Sequence, residues 1–578
     1  MSYVNTGGAI ATDTLVLRED KGSPLNTGEF DNNFEVTAEK LNDLDSRIAG
    51  EGIYLSGGST SYPTLAEAVA AIGGVNPGTI ILRHTSGDSE TSYPVTADLT
   101  ISKNITLSIQ HGAKVTVATG VTLKLGRDPL AGRYKIFDCT GTGKVIAKRD
   151  SGDTGLCSLV YPEWWGAVGD ARAQEGTSGT TTVSRPASGT DDSAAFQAAL
   201  NFFCPEGAPT YGYNADYVSG GVVSLRSDGR YLLQSMINVP VGVTIKGNLG
   251  PVSGQLYNLR RLGSALVCDP SGITTECIRM HNNSKLEDLI VLNHNLEFLG
   301  YNYTSWPSWS GTAVRFQTVN GSPSGISLEN LMVAGFEYGI YHRNEDQEGV
   351  WGGHASGSYF IDRVYVDCIN AIYIAGTGNF GYLDHIYAFH YATYNSPNAV
   401  SHSRTGKGIY LLAVTGGVIT NSFVRGYKTG YHIGEWSNWV RLVGCDYEGS
   451  LEDATQVQNI GFLVGEGPGE SAVVSDAQII GCMAVTGATS TPSYGFYVNT
   501  DPALGSHGEG RVLLSNCKAY GCNYGYYNAV DSEKAYFTLF SVYNNSVDFY
   551  VRGTEKTESG LWTWSLFDYI YSDHSLNT

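Results

Sequence analysis

The chain is predicted to be all-β, a solenoid of stacked coils. One phrase keeps returning along it: Val-Ala-Gly-Phe-Glu-Tyr-Gly-Ile-Tyr at 333–341, Val-Asp-Cys-Ile-Asn-Ala-Ile-Tyr at 366–373, Val-Arg-Gly-Tyr-Lys-Thr-Gly-Tyr-His at 424–432 and Ala-Tyr-Gly-Cys-Asn-Tyr-Gly-Tyr-Tyr at 519–527. A short strand, a Gly-centred bend and a second short strand recur about every 20–40 residues, which is the period of a coil that buries its apolar side only by stacking on the next. Composition agrees, with 72 Gly, 37 Tyr and only 16% charged residues, a balance that suits tight bends and an aromatic-rich wall. At 578 residues the chain exceeds one compact core, whereas a solenoid grows by adding coils.

Charge and cysteine content exclude several function classes. A formal net charge of −20 and the lack of Lys/Arg clusters argue against nucleic acid as a partner. No stretch approaches the roughly 20 apolar residues of a membrane span, so no membrane partner is expected. The start, Met-Ser-Tyr-Val-Asn-Thr-Gly-Gly, lacks a basic segment followed by an apolar run, so no export signal is expected. Ten Cys show no Cys-x-x-Cys pairing. Cys445, Cys482 and Cys517 follow Gly, Gly and Asn at matching repeat positions, which predicts an inward column of free thiols suited to folding in a reducing cytosol.

Taken in order, residues 1–50 are polar until Leu41, Leu44 and Ile48 fall at i, i+3, i+7 before Gly50, which predicts a short helix. Its narrow stripe suits either a coiled coil between copies or packing on its own chain. Residues 51–160 read as a small mixed head. A helix enters through Pro63, and strict alternation over 99–109 and 113–125 predicts half-buried strands. From 161 to 552 the coils take over, and 553–578 is a short aromatic tail. Phe196, Ala199, Leu200 and Phe203 share one helical face, so a helix here can plug the open end of the solenoid. Thr190 or Asp191 is expected to cap it, with Asp192 set against its dipole. Trp164 and Trp165 are expected in the core at the neck.

The run Glu163-Trp-Trp-Gly-Ala-Val-Gly-Asp, then Gly189-Thr-Asp-Asp-Ser-Ala-Ala-Phe-Gln-Ala-Ala-Leu, then Gly-Gly-Val-Val and Gly-Arg-Tyr-Leu, resembles the opening of pectate-lyase-like right-handed parallel β-helix domains of bacteriophage tailspike depolymerases. The match covers about 161–250, and the coil pattern carries it to about 552. The polar insertion at 171–189 departs from the family, which runs directly from Gly-Asp to Thr-Asp-Asp. The resemblance implies a homotrimeric spike that cuts a bacterial capsule, exopolysaccharide or O-antigen without a cofactor. It also implies that residues 1–50 attach to the phage tail or an adaptor, and that the protein is made in the bacterial cytoplasm and acts outside the host cell on the virion.

Superposing the repeats assigns candidate chemistry. With Val333, Val366, Ala388, Val424 and Tyr447 inward, one outward row is Met332, Tyr365, Tyr387, Phe423, Asp446 and Met483. The other is Ala334, Asp367, Phe389, Arg425, Glu448 and Val485. Glycoside hydrolysis needs two carboxyl groups about 5–5.5 Å apart for retention or about 6.5–9.5 Å for inversion. The pair Asp446 and Glu448, beside Arg425, is the leading candidate, with Asp367 further along the row and Tyr365, Tyr387 and Phe423 as an aromatic stripe. A second acidic column from the preceding strand is Glu329, Asp362 and Asp384, with His385 beside it. Exterior carboxylates also serve as solvated faces or contacts between copies, and the Asp191-Asp192 pair reads as a helix start. Trp306, Trp309, Trp351, Trp436 and Trp439 lie between coils, where their faces can stack on pyranose rings, and Trp351 and Trp436 are taken as substrate-binding. A lyase would instead use Arg343, Arg425, His385, His390 or Tyr387 to take a proton α to a uronate carboxyl. A non-catalytic receptor-binding spike and a secreted bacterial lyase are the remaining alternatives. No His-Glu-x-x-His or EF-hand loop occurs, and no metal ligand is assigned.

Overall fold

The computed structural model describes residues 62–85, 87–148, 157–172, 188–204, 220–249, 263–269, 276–296, 309–317, 324–343, 357–376, 381–391, 404–449, 459–466, 473–486, 492–500 and 511–529, with shorter pieces at 52–55, 535–538, 541–543, 545 and 547–551. The helix and attachment role expected within 1–50, most of the 171–189 insertion, Trp306, Trp351 and the 553–578 tail lie outside the described residues. The chain divides into two compact units, Met1–Cys157 and Ser158–Thr578.

In the first unit, helix α1 (Leu65–Ile72) starts at a reciprocal cap. Thr64 Oγ1 accepts from the Glu67 N–H, and the Glu67 carboxylate accepts from the Thr64 N–H. Among the described residues, nine strands form three three-stranded sheets, each wholly parallel. The period-two signal is realised in Ile105–Ile109 and Ala113–Val117, whose alternate residues are buried. The described residues between 62 and 148 are thus parallel strands with one helix.

In the second unit, the described strands form one sheet of 19 and one of 11, with every pairing between them parallel. Helix α2 (Ser193–Asn201) buries Phe196, Ala199 and Leu200, with buried Phe203 just beyond its end, and contacts the strands Arg230–Leu233 and Ile237–Val239. Of the two residues expected to cap it, Asp191 supplies the side-chain acceptor and Thr190 does not. Asp192 occupies the capping position but turns its carboxylate away to accept the Val168 and Gly169 N–H groups at 2.6 and 3.0 Å. Asp191 Oδ1 accepts the Ser193 N–H instead, while Thr190 donates to Asp170. The insertion closes at its base through an antiparallel bridge between Arg172 and Ser188. Trp164 is buried as expected, and Trp165 is partly so.

The predicted register is realised residue by residue. Val333, Val366, Ala388, Val424 and Tyr447 are successive partners and all are buried. Each buried aliphatic side chain contributes roughly 1.5–3 kcal/mol, and here the contribution repeats at every coil. Cys445, Cys482 and Cys517 stack inside as free thiols, with the Cys445 N–H on Cys482 Sγ. Much of the aromatic content is internal too: Tyr431, Phe462 and Phe496 stack face to face at 4.8 Å per step within the core.

A corner of left-handed residues separates the two strands of each coil. Asp288, Asn330, Arg363, His385, Asn421, Gly444, Gly481 and Asn516 all have φ between 48° and 63° and succeed one another up the stack. Gly takes this backbone freely and Asn or Asp tolerates it, whereas other L-residues pay about 1–2 kcal/mol. The Gly or Asn before each of the stacked cysteines is this corner.

Candidate active site

The two outer rows were expected to be exposed along their length, and they are not. Met332, Ala334 and Asp367 are buried. The two apolar ones join Leu232, Val267, Ile290 and Leu292 in a second hydrophobic cluster, against which Trp309, Tyr365 and Tyr391 pack. Asp367 is fully buried, its Oδ1 accepting from Arg404 Nε at 2.9 Å, and the Arg404 guanidinium lies 4.9 Å over the Trp309 ring. Parity put Asp367 outside the coil correctly, but a further layer covers it there.

Where that layer ends, the wall is open. Tyr365 and Tyr387 stack at 4.9 Å with planes 9° apart. Phe423 follows Tyr387, and Asp446 follows Phe423, in register. Arg425 pairs with Glu448 at 3.4 Å and lies over Phe389 at 5.3 Å. Burial raises the Asp446 carboxyl above the usual carboxylate range. The leading pair thus shares one face, with a cation on Glu448.

The second acidic column is the more organised. Glu287, Glu329, Asp362 and Asp384 are successive partners. Lys285 takes Glu329 at 2.8 Å, which leaves the two aspartates to each other and to the corner that follows them. His385 Nδ1 is 3.0 Å from Asp384 and 3.6 Å from Asp362, and Arg363 is 3.1 Å from Asp362. The Thr420 hydroxyl and Asn421 amide donate to the other Asp384 oxygen at 2.6 and 3.0 Å. Burial pushes the Asp384 carboxyl up, but these donors and His385 outweigh it and hold Asp384 below its ordinary value. Asp362, Asp384 and His385 each offer a ligand atom within 4.8 Å of the others, a set of two carboxylates and an imidazole that can also hold a divalent cation.

Two residues the sequence reading passed over complete this face. Phe360 and Tyr382 lie two positions before Asp362 and Asp384, hence on the same side of the strand. Their rings stack at 5.4 Å with planes 8° apart, and they are 38% and 36% exposed. The signal was present in the sequence as an aromatic at i−2 from each acid. Trp436 and Trp439, in the segment between coils, are exposed. His390 is buried and stacked on Phe389, while Arg343 ends its strand exposed.

No protein-family model and no curated protein matches the chain. Among solved structures it is similar to the phiAB6 tailspike in complex with three-repeated oligosaccharides of Acinetobacter baumannii surface polysaccharide, at 13% identity over 66% of this chain and 48% of that one, TM-score 0.29. It is similar to the tailspike of Acinetobacter baumannii bacteriophage Fri1, a capsular polysaccharide depolymerase, at 12% identity over 70% and 63%, TM-score 0.31. A GH87 α-1,3-glucanase from Streptomyces thermodiastaticus matches at 13% identity over 74% and 71%, TM-score 0.28. The chain spans less than two thirds of the length of either tailspike.

Proposed function

We propose that the protein is a tailspike depolymerase that binds a bacterial surface polysaccharide and hydrolyses it internally at the Asp362/Asp384 corner. One observation carries this reading: two carboxylates and an imidazole within 4.8 Å of one another, beside an exposed stacked aromatic pair on the same face. Flat aromatic faces accept the C–H face of a pyranose ring, and the adjoining acids meet the glycosidic bond. Asp384, held ionised by its donors, is the nucleophile, and Asp362 is the carboxyl that protonates the leaving oxygen. The close spacing lies nearer the roughly 5–5.5 Å of retaining enzymes than the wider inverting gap. His385, 3.0 Å from Asp384 and 3.6 Å from Asp362, orients the pair, and the proton that Asp362 gives to the leaving oxygen is regained from the water that opens the glycosyl-enzyme. A metal ion held by the same three groups would supply charge stabilisation to the sugar oxygens.

A second reading places the chemistry at Asp446 and Glu448. It is favoured by the contrast between Asp446, raised by burial, and Glu448, paired with Arg425. Incubating the full chain with purified capsular polysaccharides and assaying new reducing ends tests the hydrolase. Asp384→Asn and Asp446→Asn, compared side by side, choose between the two corners. Products absorbing in the near ultraviolet would mean β-elimination instead, and binding without cleavage would mean a receptor-binding spike. The homotrimer and the tail-attachment role of residues 1–50 follow from the sequence resemblance, and light scattering of the full chain tests the trimer.

A further inference from the structure

Trp436 and Trp439 hold left-handed backbone, with φ of 60° and 53°. Bulky L-residues rarely adopt this conformation, and it persists where the surroundings enforce it. Here the neighbouring coils do so. The Trp436 N–H donates to Val473 O at 2.7 Å, the Trp439 N–H to Ser475 O at 3.1 Å, and the Asn438 N–H between them to Val414 O at 2.8 Å. What the enforced backbone delivers is a pair of exposed indoles. Trp439, at 59% exposure, is the most exposed aromatic among the described residues. The hydrophobic effect opposes so exposed a placement of the Trp439 ring.

The position of Trp439 relative to the acidic corner gives it a use. Arg441, two residues on, pairs with Val418, which pairs with Tyr382, which pairs with Phe360. This column runs along the stack at about 4.8 Å per step. Arg441 therefore stands two coils beyond Tyr382 in this column, and Trp439 is exposed at the left-handed bend two residues before it, with buried Val440 between them. Arg441 in this column is exposed and brings guanidinium donors to the same patch.

We infer that Trp439 and Arg441 form a distal saccharide subsite on the same polymer, so that the polysaccharide lies parallel to the solenoid axis from Phe360 to Trp439. The inference rests on the polysaccharide reading above. An exposed indole next to a guanidinium matches a glycosyl unit, whose C–H face stacks on the ring while its hydroxyl or carboxylate oxygens accept from Arg441. Continuity with the Phe360/Tyr382 face makes the occupant a further unit of the bound polymer.

The test uses the full chain carrying Asp384→Asn, which keeps bound polymer intact. An array of purified bacterial capsular polysaccharides and O-antigens selects the polymer retained, and binding is then measured for that polymer and for its short oligosaccharides. Trp439→Ala is expected to weaken polymer binding about tenfold, equivalent to roughly 1.4 kcal/mol, while leaving short-oligosaccharide binding unchanged. Trp439→Phe is expected to restore most of it, and Phe360→Ala to weaken both ligands. Unchanged polymer affinity in Trp439→Ala, or equal loss for polymer and oligosaccharide, overturns the subsite. So does a change in the number of chains per particle by light scattering, which would assign the indole to a contact between copies. If the chain without Asp384→Asn binds polymer and never cleaves it, the depolymerase reading fails while the Trp439→Ala comparison still decides the subsite. If nothing on the array is retained, both fall.

Discussion

His385 presents Nδ1 to Asp384 Oδ2 at 3.0 Å from a left-handed corner residue, φ 51°. At the same corner other coils carry Gly444, Gly481 or an Asn. A residue without that tolerance is held where the stack repeats the bend at every coil, so the strain is absorbed by the pairing above and below. The imidazole is thereby fixed against two acids that the strand before it supplies.

Replacing His385 by Gly separates structure from chemistry. Gly takes the left-handed backbone at no steric cost, although it gives up more chain entropy on folding, so stability should change by no more than about 1 kcal/mol in either direction. Depolymerisation should fall by about two orders of magnitude, the range of a catalytic pair that has lost its positioning group. Urea midpoints and reducing-end assays check the two halves. A large loss of stability would mean that the imidazole holds the corner together.

Asp384→Asn is expected to lower turnover at least about a thousandfold with the melting temperature little changed, since Asn keeps one acceptor for Thr420 and Asn421. Retained turnover in this variant, with loss in Asp446→Asn, would move the chemistry to the neighbouring wall.

Phe360→Ala and Tyr382→Ala should each raise KM with kcat nearly constant. A stacked aromatic contact is worth about 0.5–1.5 kcal/mol beyond its area, which corresponds to a several-fold to about tenfold change in binding. A fall in kcat with KM unchanged would show that these rings position the acids rather than the sugar.

The buried Asp367–Arg404 pair makes a contrasting case, because its carboxylate is fully enclosed and already paired. Asp367→Asn leaves a buried guanidinium without its counter-charge, a change that costs about 3–5 kcal/mol. Activity per folded molecule should stay within a few-fold, as measured by active fraction against denaturant. Loss of activity in a fully folded variant would return Asp367 to the catalytic set.

The coil register was legible because side-chain parity has a period of two and the core tolerates no slip. Once Val333 and Val366 were aligned, every outward partner from Met332 to Met483 followed. Parity says which side of a strand a residue leaves from, and nothing about what lies over it. That is why Asp367 was placed on the correct row yet is enclosed. The corner cluster was read as a column of acids, but its organisation depends on backbone handedness at Arg363 and His385, which a phrase centred on Gly does not announce. Phe360 and Tyr382 were legible at i−2 from the acids and were passed over in favour of the later stripe at Tyr365 and Tyr387.

Acid should weaken the solenoid through its enclosed imidazoles. Burial pushes His281 and His342 down to about 4, and lowers His432 well below its ordinary value. Unfolded histidine binds its proton near 6.5, so the stability these groups contribute is complete above that pH and is lost as pH falls toward 4, on the order of 3 kcal/mol for a group such as His342. Asp192 works the other way. Burial raises it to about 6 despite the Val168 and Gly169 N–H donors, so its contribution is complete below about pH 4 and is lost as pH rises to about 6. Asp446, also raised by burial, adds to the Asp192 side, but the three enclosed imidazoles outweigh the two carboxyls, and urea midpoints should fall between pH 7 and pH 4. Asp192→Asn removes its opposing contribution and should steepen that fall, whereas His342→Gln should flatten it. Equal slopes in wild type and both variants would place the acid sensitivity in surface carboxylates rather than in the buried groups.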